Sequence, residues 1–484
     1  LVDEGFFAFG GTDPVFTFTG NDFSAADTGQ DADVKFDLSS VTVDGATDAS
    51  AIVDTTRSDN NGVGVVEVDG DQFTDSETLF IQEGDDINTA IDSADSLAGV
   101  NTVQLADGTY DQSVTVDVEG LTLEGPNAGI AGDSDNRGPE AVINLSDDFS
   151  DVLTIASSDV EVNGLSFKFG ERAIYDTAGD NLITNNRFEL SNAPTSNEYA
   201  IRIEGDADGT NVTSNAFVNI TSNDGTEGDN VNGVVVRDPD GTTISSNTFD
   251  SVDTAVNIGD DSPTAGEVVV NGNEFEDIRQ LGAVLVNNND ASLDVDVTNN
   301  NISSSDIGVL VFNANSGITT NIENNDFDDN SVHVQDGEGV LDLSDALGNN
   351  SFSPVVTAED SGGNLATDSI YGEIQPAVDD ASSGDIVDAS AGTYNESVKV
   401  STQNVTLVGP NAGTPGYENR QSTEAVIEQG VVISADSVTL DGFEVTNNGG
   451  NGIKVANAPS NVVITNNRVV DVAGGTAGDQ KAFA

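Results

Sequence analysis

The chain has 484 residues, with 85 Asp plus Glu against 14 Lys plus Arg, a formal net charge of −71, one His and no Cys, Met or Trp. A surface this acidic repels DNA, RNA and anionic membranes, so none is expected as a partner, and no run is long and apolar enough to span a bilayer. Without Cys or Met there is no disulfide framework and no ordinary zinc, haem or copper site, which leaves oxygen ligands for a hard cation such as calcium.

The chain opens at Leu1 without a signal-peptide pattern, as a processed or trimmed polypeptide would. Residues 1–75 carry alternating stretches such as Val15-Phe16-Thr17-Phe18 and Val63-Gly64-Val65-Val66-Glu67-Val68 between Asp/Gly turns, which predicts a small β-sandwich-like domain. Next, Ile87, Ala90, Ile91, Ala94 and Leu97 recur at helical spacing. A short amphipathic helix here would cover strand edges and apolar core at the end of a stacked fold. Strands are predicted at Thr102–Leu105 and Val114–Val116, with the turn Gly108-Thr109-Tyr110 between them.

From there a short tag sets the architecture: Asn186-Arg187-Phe188, Asn215-Ala216-Phe217, Asn247-Thr248-Phe249, Asn273-Glu274-Phe275, Asn300-Asn301-Ile302, Asn325-Asp326-Phe327 and Asn350-Ser351-Phe352. The tagged Asn residues are 29, 32, 26, 27, 25 and 25 positions apart. That period, filled with Val/Ile runs and Asn/Gly/Asp turns, predicts a solenoid whose coils stack as parallel strands. Phe rings and Asn amides should form ladders from coil to coil, with Asn chosen for a turn at positive φ.

A second repeat is larger. Gly108-Thr109-Tyr110 recurs at Gly392-Thr393-Tyr394, Gly125-Pro126-Asn127-Ala128-Gly129 at Gly409–Gly413 and Glu140-Ala141-Val142-Ile143 at Glu424–Ile427, all 284 residues later. The chain therefore holds two copies of one module, the second opened by a helix bearing Ile374, Ala377, Val378 and Ala381. The predicted segments are 1–75 (sandwich), 76–357 (first solenoid), 358–368 (acidic, Gly-rich linker) and 369–484 (second solenoid). The second copy has one tag, Asn467-Arg468-Val469, and no recognisable cap after Val472. Further polypeptide or a neighbouring subunit is expected to cover that end.

Capping helix, Gly-Thr-Tyr and Gly-Pro-Asn-Ala-Gly, in this order, resemble the right-handed parallel β-helix family, especially secreted β-helix proteins of halophilic archaea. The resemblance covers roughly Thr78 to Ser353 and Ser369 to Val472. It implies an all-β fold of two right-handed parallel β-helix modules, each opened by a short helix. Residues 1–75 look like the N-terminal region of haloarchaeal surface-layer glycoproteins, and the Asp-rich, Lys-poor composition is similar to that of proteins from salt-loving archaea. The β-helix scaffold serves lyases, hydrolases, tail spikes and passive surface proteins, so the resemblance fixes fold and not chemistry.

The residues offer little catalytic pattern. Asn247-Thr248-Phe249-Asp250 and Gly259-Asp260-Asp261 match the polygalacturonase branch only in letters. The single His333 lies in Val332-His333-Val334 rather than between glycines, and no Arg-Ile-Lys occurs. A lyase needs calcium and a cationic base beside a carboxylate; Arg172, Arg187, Arg202, Arg237 and Arg279 are instead scattered along the coils, as surface ion pairs would be. Asp133 and Asp135, and Asp326 and Asp328, are calcium candidates in acidic turns. Asn-x-Ser/Thr sequons at Asn144, Asn211, Asn219, Asn301, Asn349, Asn395 and Asn404 permit glycosylation. Loops 205–209 and 225–230 lack the Lys-Ser/Thr ending of a phosphate loop.

The expectation from this reading is a non-enzymatic, extracellular structural or adhesive surface protein of a halophilic archaeon, in a surface layer or filament. Its partners would be copies of itself or other surface proteins, or a polysaccharide, with calcium the one cofactor left open. The alternatives are a carbohydrate-active or carbohydrate-binding β-helix protein and a viral tail-spike or fibre module.

Overall fold

The computed structural model describes residues 7–8, 15–16, 34–36, 42–43, 49–59, 66–68, 71–97, 99–145, 151–169, 171–190, 198–205, 207–222, 231–237, 240–259, 266–287, 293–312, 318–418, 420, 423–447 and 450–472. The chain forms two compact units, 1–248 and 249–484, taken here in turn.

The start of the first unit differs from the sandwich that its sequence predicts. Phe7–Ala8 pairs in parallel with Val34–Phe36, which pairs in parallel with Val66–Val68, while Val15–Phe16 pairs in parallel with Thr42–Val43. Partners lie 28, 32 and 27 residues apart, the length of a solenoid coil. Period-two alternation reports which face is buried, but not whether a strand pairs with its chain neighbour or one coil away. This stretch also holds a helix, Ala49–Asp59, with Ile52, Val53 and Thr56 buried. The strands Val66–Val68, Asp71–Asp75 and Thr78–Ile81 then form an antiparallel meander, and the last pairs in parallel with Thr102–Leu105.

The predicted capping helix spans Ile87–Ser96 and buries Ile87, Ala90, Ile91 and Ala94. Its first turn is closed twice: Asp86 accepts from the Thr89 N–H at 3.0 Å, and the Gln112 side chain from the Ile87 N–H at 2.9 Å. Behind it, three parallel sheets stack coil upon coil. The pleat points alternate residues inward, so Val103, Leu123, Val162, Ile183, Val212 and Ile244 form one continuous buried column. In another sheet Phe188 stacks at 5.2 Å on Phe167 and at 4.9 Å on Phe217, each pair within 10° of parallel.

The tag Asn works differently from expectation. Asn186, Asn215 and Asn247 are buried, and their φ angles are not among the positive ones; Asn185, Ser214 and Ser246, one residue earlier, take that conformation at φ 58°, 58° and 55°. The left-handed residue turns the corner, and the following Asn points inward. The Asn215 side-chain oxygen accepts from the Asn186 N–H at 2.9 Å and from its Nδ2 at 3.2 Å, while Asn186 Nδ2 also donates to the Val162 carbonyl. The amide thus satisfies backbone groups that the corner withdraws from the sheets.

The segment 125–140, which opens with Gly-Pro-Asn-Ala-Gly, is a strap over these corners. Asn127 accepts from the Gly138 N–H at 2.7 Å, Gly132 donates to the Ser214 carbonyl at 2.8 Å, and Asp133 accepts from the Thr248 hydroxyl at 3.0 Å. A Cβ on Gly132 would stand 2.2 Å from the Asn186 carbonyl oxygen, so only glycine permits this approach. Arg137 fastens the strap. It grips Glu140 through two bonds of 2.7 and 2.8 Å and donates to the carbonyls of Ile130 and Asn185.

The second unit repeats these devices. Phe249 stacks on Phe275 at 5.0 Å and Phe327 on Phe352 at 5.1 Å, with Ile302 in register between Phe275 and Phe327. The first solenoid ends in a change of direction: Ser369–Tyr371 runs antiparallel to Val332–Asp336, and Val356–Glu359 antiparallel to Ile386–Ala389. The stretch predicted as a linker therefore begins inside a strand, with Ala358 buried, and continues as a turn in which Asp360 accepts from the N–H groups of Gly362 and Asn364. The helix Ile374–Asp380 opens the second module, and both oxygens of Glu396 accept from its first N–H groups, at 2.6 Å from Ile374 and 2.7 Å from Gln375. Gln112 has this role in the first copy.

The duplication extends to the strap. Arg420 pairs with Glu424 at 2.5 Å as Arg137 pairs with Glu140, and a Cβ on Gly416 would stand 2.2 Å from the Asn467 carbonyl oxygen. Gly108-Thr109-Tyr110 and Gly392-Thr393-Tyr394, predicted as turns, are strands instead; Tyr110 and Tyr394 are both buried and donate to carbonyls four residues upstream, at 3.0 and 2.8 Å. The last described coil leaves Val455, Val463 and Ile464 exposed. Each unit is built as a right-handed parallel β-helix, and no described helix is long and apolar enough to cross a membrane.

Candidate functional site

In one sheet of the first unit, the strands Asp151–Ile155, Arg172–Asp176 and Tyr199–Ile203 lie in parallel register, and two outward columns result. One reads Asp151, Arg172, Tyr199; the other reads Thr154, Tyr175, Arg202. The order Arg-x-x-Tyr in one strand and Tyr-x-x-Arg in the next sets each guanidinium beside an aromatic ring. The Arg172 guanidinium carbon lies 4.3 Å from the Tyr175 ring centre, and that of Arg202 lies 5.8 Å from Tyr175 and 5.6 Å from Tyr199. Both tyrosines are half-buried. Both arginines are also ion-paired: Arg172 to Asp151, with Glu171 at 3.7 Å, and Arg202 to Glu204. The result is a cluster of two aromatic rings, two guanidiniums and three carboxylates on one sheet face, a mix of apolar surface, donors and acceptors.

The other arginines considered for a catalytic base lie outside these three strands. Arg187 is on a different sheet, paired with Glu189 at 3.0 Å. Arg237 follows the strand Asn232–Val236, its N–H donating to the Ile203 carbonyl. Arg279 pairs with Asp277 and holds that carboxyl below the usual carboxylate range, whereas burial and the negative charges of Asp277 and Glu373 push Asp306 up.

His333 is a core residue. It lies 5.8 Å from the Phe327 ring centre and 5.2 Å from that of Phe352; Nε2 is 2.6 Å from the Pro354 carbonyl oxygen and Nδ1 is 3.3 Å from Asn330 Nδ2. Nε2–H therefore donates and Nδ1 accepts, which requires the neutral ring. Burial lowers its pKa to about 4. Asp176 is buried too, and the cost of desolvation raises its carboxyl to about 6 despite hydrogen bonds from Thr210 at 2.7 Å, Asn181 at 2.8 Å and the Ala178 N–H.

Asp260 and Asp261 lie outside the described residues. Of the calcium candidates, Asp133 and Asp135 stand exposed on the strap, while Asp326 and Asp328 stand exposed on one strand, registered with Asn301 and Ser303 on one side and with Ser351 and Ser353 on the other. Among the described residues, no three His, Cys, Asp or Glu side chains converge as a metal site would need. Along these columns acids alternate with neutral polar groups, Glu274-Asn301-Asp326-Ser351 and Glu276-Ser303-Asp328-Ser353, which keeps like charges off adjacent strands. The sequon residues Asn211, Asn219, Asn301, Asn349, Asn395 and Asn404 are exposed, and Asn144 is half-buried.

No protein-family model matches the sequence, and no curated protein matches it. Solved structures do. The chain is similar to an alginate lyase of family PL6, at 12% identity over 81% of this chain and 76% of that one, with a TM-score of 0.32. It is similar to the Dettilon tailspike protein at 12% identity over 81% and 70%, with a TM-score of 0.31. A third likeness is to DFA-IIIase from Arthrobacter chlorophenolicus A6 without its lid, at 12% identity over 80% and 95%, with a TM-score of 0.26. These likenesses concern the β-helical fold alone.

Proposed function

We propose that the chain is an extracellular carbohydrate-binding β-helix protein whose ligand lies on the face formed by Arg172, Tyr175, Tyr199 and Arg202. One observation carries this reading: two half-buried tyrosines stand beside two arginines of the same and the adjoining strand on one sheet face. The apolar face of a sugar ring packs on an aromatic ring, and its hydroxyls take hydrogen bonds from guanidinium and give them to carboxylate. Calorimetry of the whole chain in molar salt against a panel of oligosaccharides tests it. Binding should occur, and Tyr175→Ala and Tyr199→Ala should each weaken it while circular dichroism remains unchanged. Binding unaffected by either substitution would remove this face from consideration.

A second reading is a non-enzymatic structural or adhesive protein on the surface of a salt-loving archaeon. The buried Asn and Phe ladders favour it, because they invest in mechanical regularity rather than in a cleft. Electron microscopy of the chain in molar salt distinguishes the two, since ordered arrays or filaments support assembly and dispersed particles speak against it.

A further inference from the structure

We infer that the ligand of the Arg172–Tyr175–Tyr199–Arg202 face is an uncharged glycan and not a polyuronate or other anionic polymer. This rests on the carbohydrate reading above and narrows it. An anionic sugar chain needs free cationic groups, and here both guanidiniums already hold carboxylates of their own chain, Arg172 with Asp151 and Arg202 with Glu204. Glu171 lies within 3.7 Å of Arg172 as a third acid, so the cluster sets two positive charges against three negative ones. A uronate would have to displace an intramolecular carboxylate that is present at high effective concentration. It would also approach a molecule of net charge −71, which repels anions at every distance that salt does not screen.

An uncharged sugar meets neither obstacle. Its ring carbons pack on Tyr175 and Tyr199, and its hydroxyls donate to Asp151 and Glu204 and accept from Arg172 and Arg202, side chains that each keep part of their surface exposed. The ion pairs stay intact and become part of the recognition surface. Each arginine then acts as a spacer that keeps its carboxylate and its tyrosine in fixed relative positions.

The experiment is calorimetry of the full chain in molar sodium chloride with two probe sets, neutral hexose and N-acetylhexosamine oligomers, and oligouronates from alginate and polygalacturonate. The expected result is that a neutral oligomer binds, that Tyr175→Ala weakens it about tenfold, as the loss of one aromatic contact would, and that oligouronates bind at least tenfold more weakly. A second variant, Asp151→Asn with Glu204→Gln, keeps both tyrosines and removes the nearest carboxylate from each guanidinium. It should gain oligouronate affinity of at least tenfold and weaken neutral binding, which loses two carboxylate acceptors. If oligouronates bind the unaltered chain as tightly as neutral oligomers, and lose that binding in Tyr175→Ala, the inference is overturned while the carbohydrate reading stands. If neither set binds, the carbohydrate reading itself fails.

Discussion

The side-chain oxygen of Asn300 lies 2.9 Å from the backbone nitrogen of Asn273 and 3.1 Å from its Nδ2, so that one amide oxygen closes both the corner and the side chain of the coil before it. Asn325 does the same for Asn300, at 2.9 and 2.9 Å, and Asn350 for Asn325, at 2.8 and 2.9 Å. Each rung is both a donor to the next coil and an acceptor from the one before.

Removing one rung strands backbone groups of the coil before it. Asn300→Ala leaves the Asn273 N–H and the Val270 carbonyl without the partners they now have. Stability should fall by about 1–3 kcal/mol, the usual cost of buried unpaired backbone groups. Chemical denaturation in molar salt measures it, and a loss below a few tenths of a kcal/mol would mean that water replaces the amide.

Phe275 is fully buried, stacked on Phe249 and followed by Ile302 in register. Phe275→Ala should cost about 3–5 kcal/mol through lost transfer energy and the cavity left behind. Phe275→Leu, which keeps most of the volume in a ladder that already accepts Ile302, should cost less than half as much. Equal losses for the two variants would show that ring stacking, rather than volume, holds this column.

Two buried titrating groups, His333 and Asp176, act on stability in opposite directions. His333 has its folded pKa lowered from 6.5 to about 4, so its contribution is complete above the ordinary value and is lost as the pH falls towards 4. That amounts to roughly 3 kcal/mol. Asp176 has its folded pKa raised from 3.8 to about 6, so its contribution is complete below about 4 and is lost as the pH rises through 6. The stability advantage of the parent over His333→Gln should therefore shrink between pH 6.5 and 4, while that of the parent over Asp176→Asn should grow over the same interval. Unfolding curves at five or six pH values read both, and parallel curves for parent and variant would contradict the assignment for that residue.

Salt should stabilise the fold steeply. In the column Glu274-Asn301-Asp326-Ser351 the acids are two strands apart, about 10 Å at ordinary strand spacing. That distance matches the screening length at 0.1 M salt and exceeds it about threefold at 1 M. The melting temperature should rise continuously from millimolar to molar sodium chloride. A flat profile would mean that the charge is already neutralised by other means.

The solenoid was legible in the sequence because the corner imposes its period on both a polar and an apolar residue at once, Asn186 with Phe188 and Asn273 with Phe275. The capping helices were legible because Ile87, Ala90, Ile91 and Ala94 keep one face. Residues 1–75 were less so, since Val15-Phe16 and Val66–Val68 alternate alike whether the partner is a neighbouring strand or one 27 or 32 residues distant. The Arg–Tyr face was not found, because its members are useful only in register; the hint was the inverted pair Arg172-x-x-Tyr175 and Tyr199-x-x-Arg202, one coil apart. The Arg137–Glu140 clamp left a similar hint, in that Glu140 and Glu424 both belong to the repeated motif while their arginines lie outside it.

A stack of like coils ordinarily frays from its ends one layer at a time, because each layer touches only its neighbours. The strap changes that. From Asn127 to Asp133 it reaches Gly164, Asn186, Ser214 and Thr248, which belong to successive coils. These coils must therefore be released together or not at all, and amide exchange across them should report a single opening event. In the second copy the corresponding segment closes on Asn467, in the last described coil. The layer with the exposed Val463 and Ile464 is thus anchored from behind.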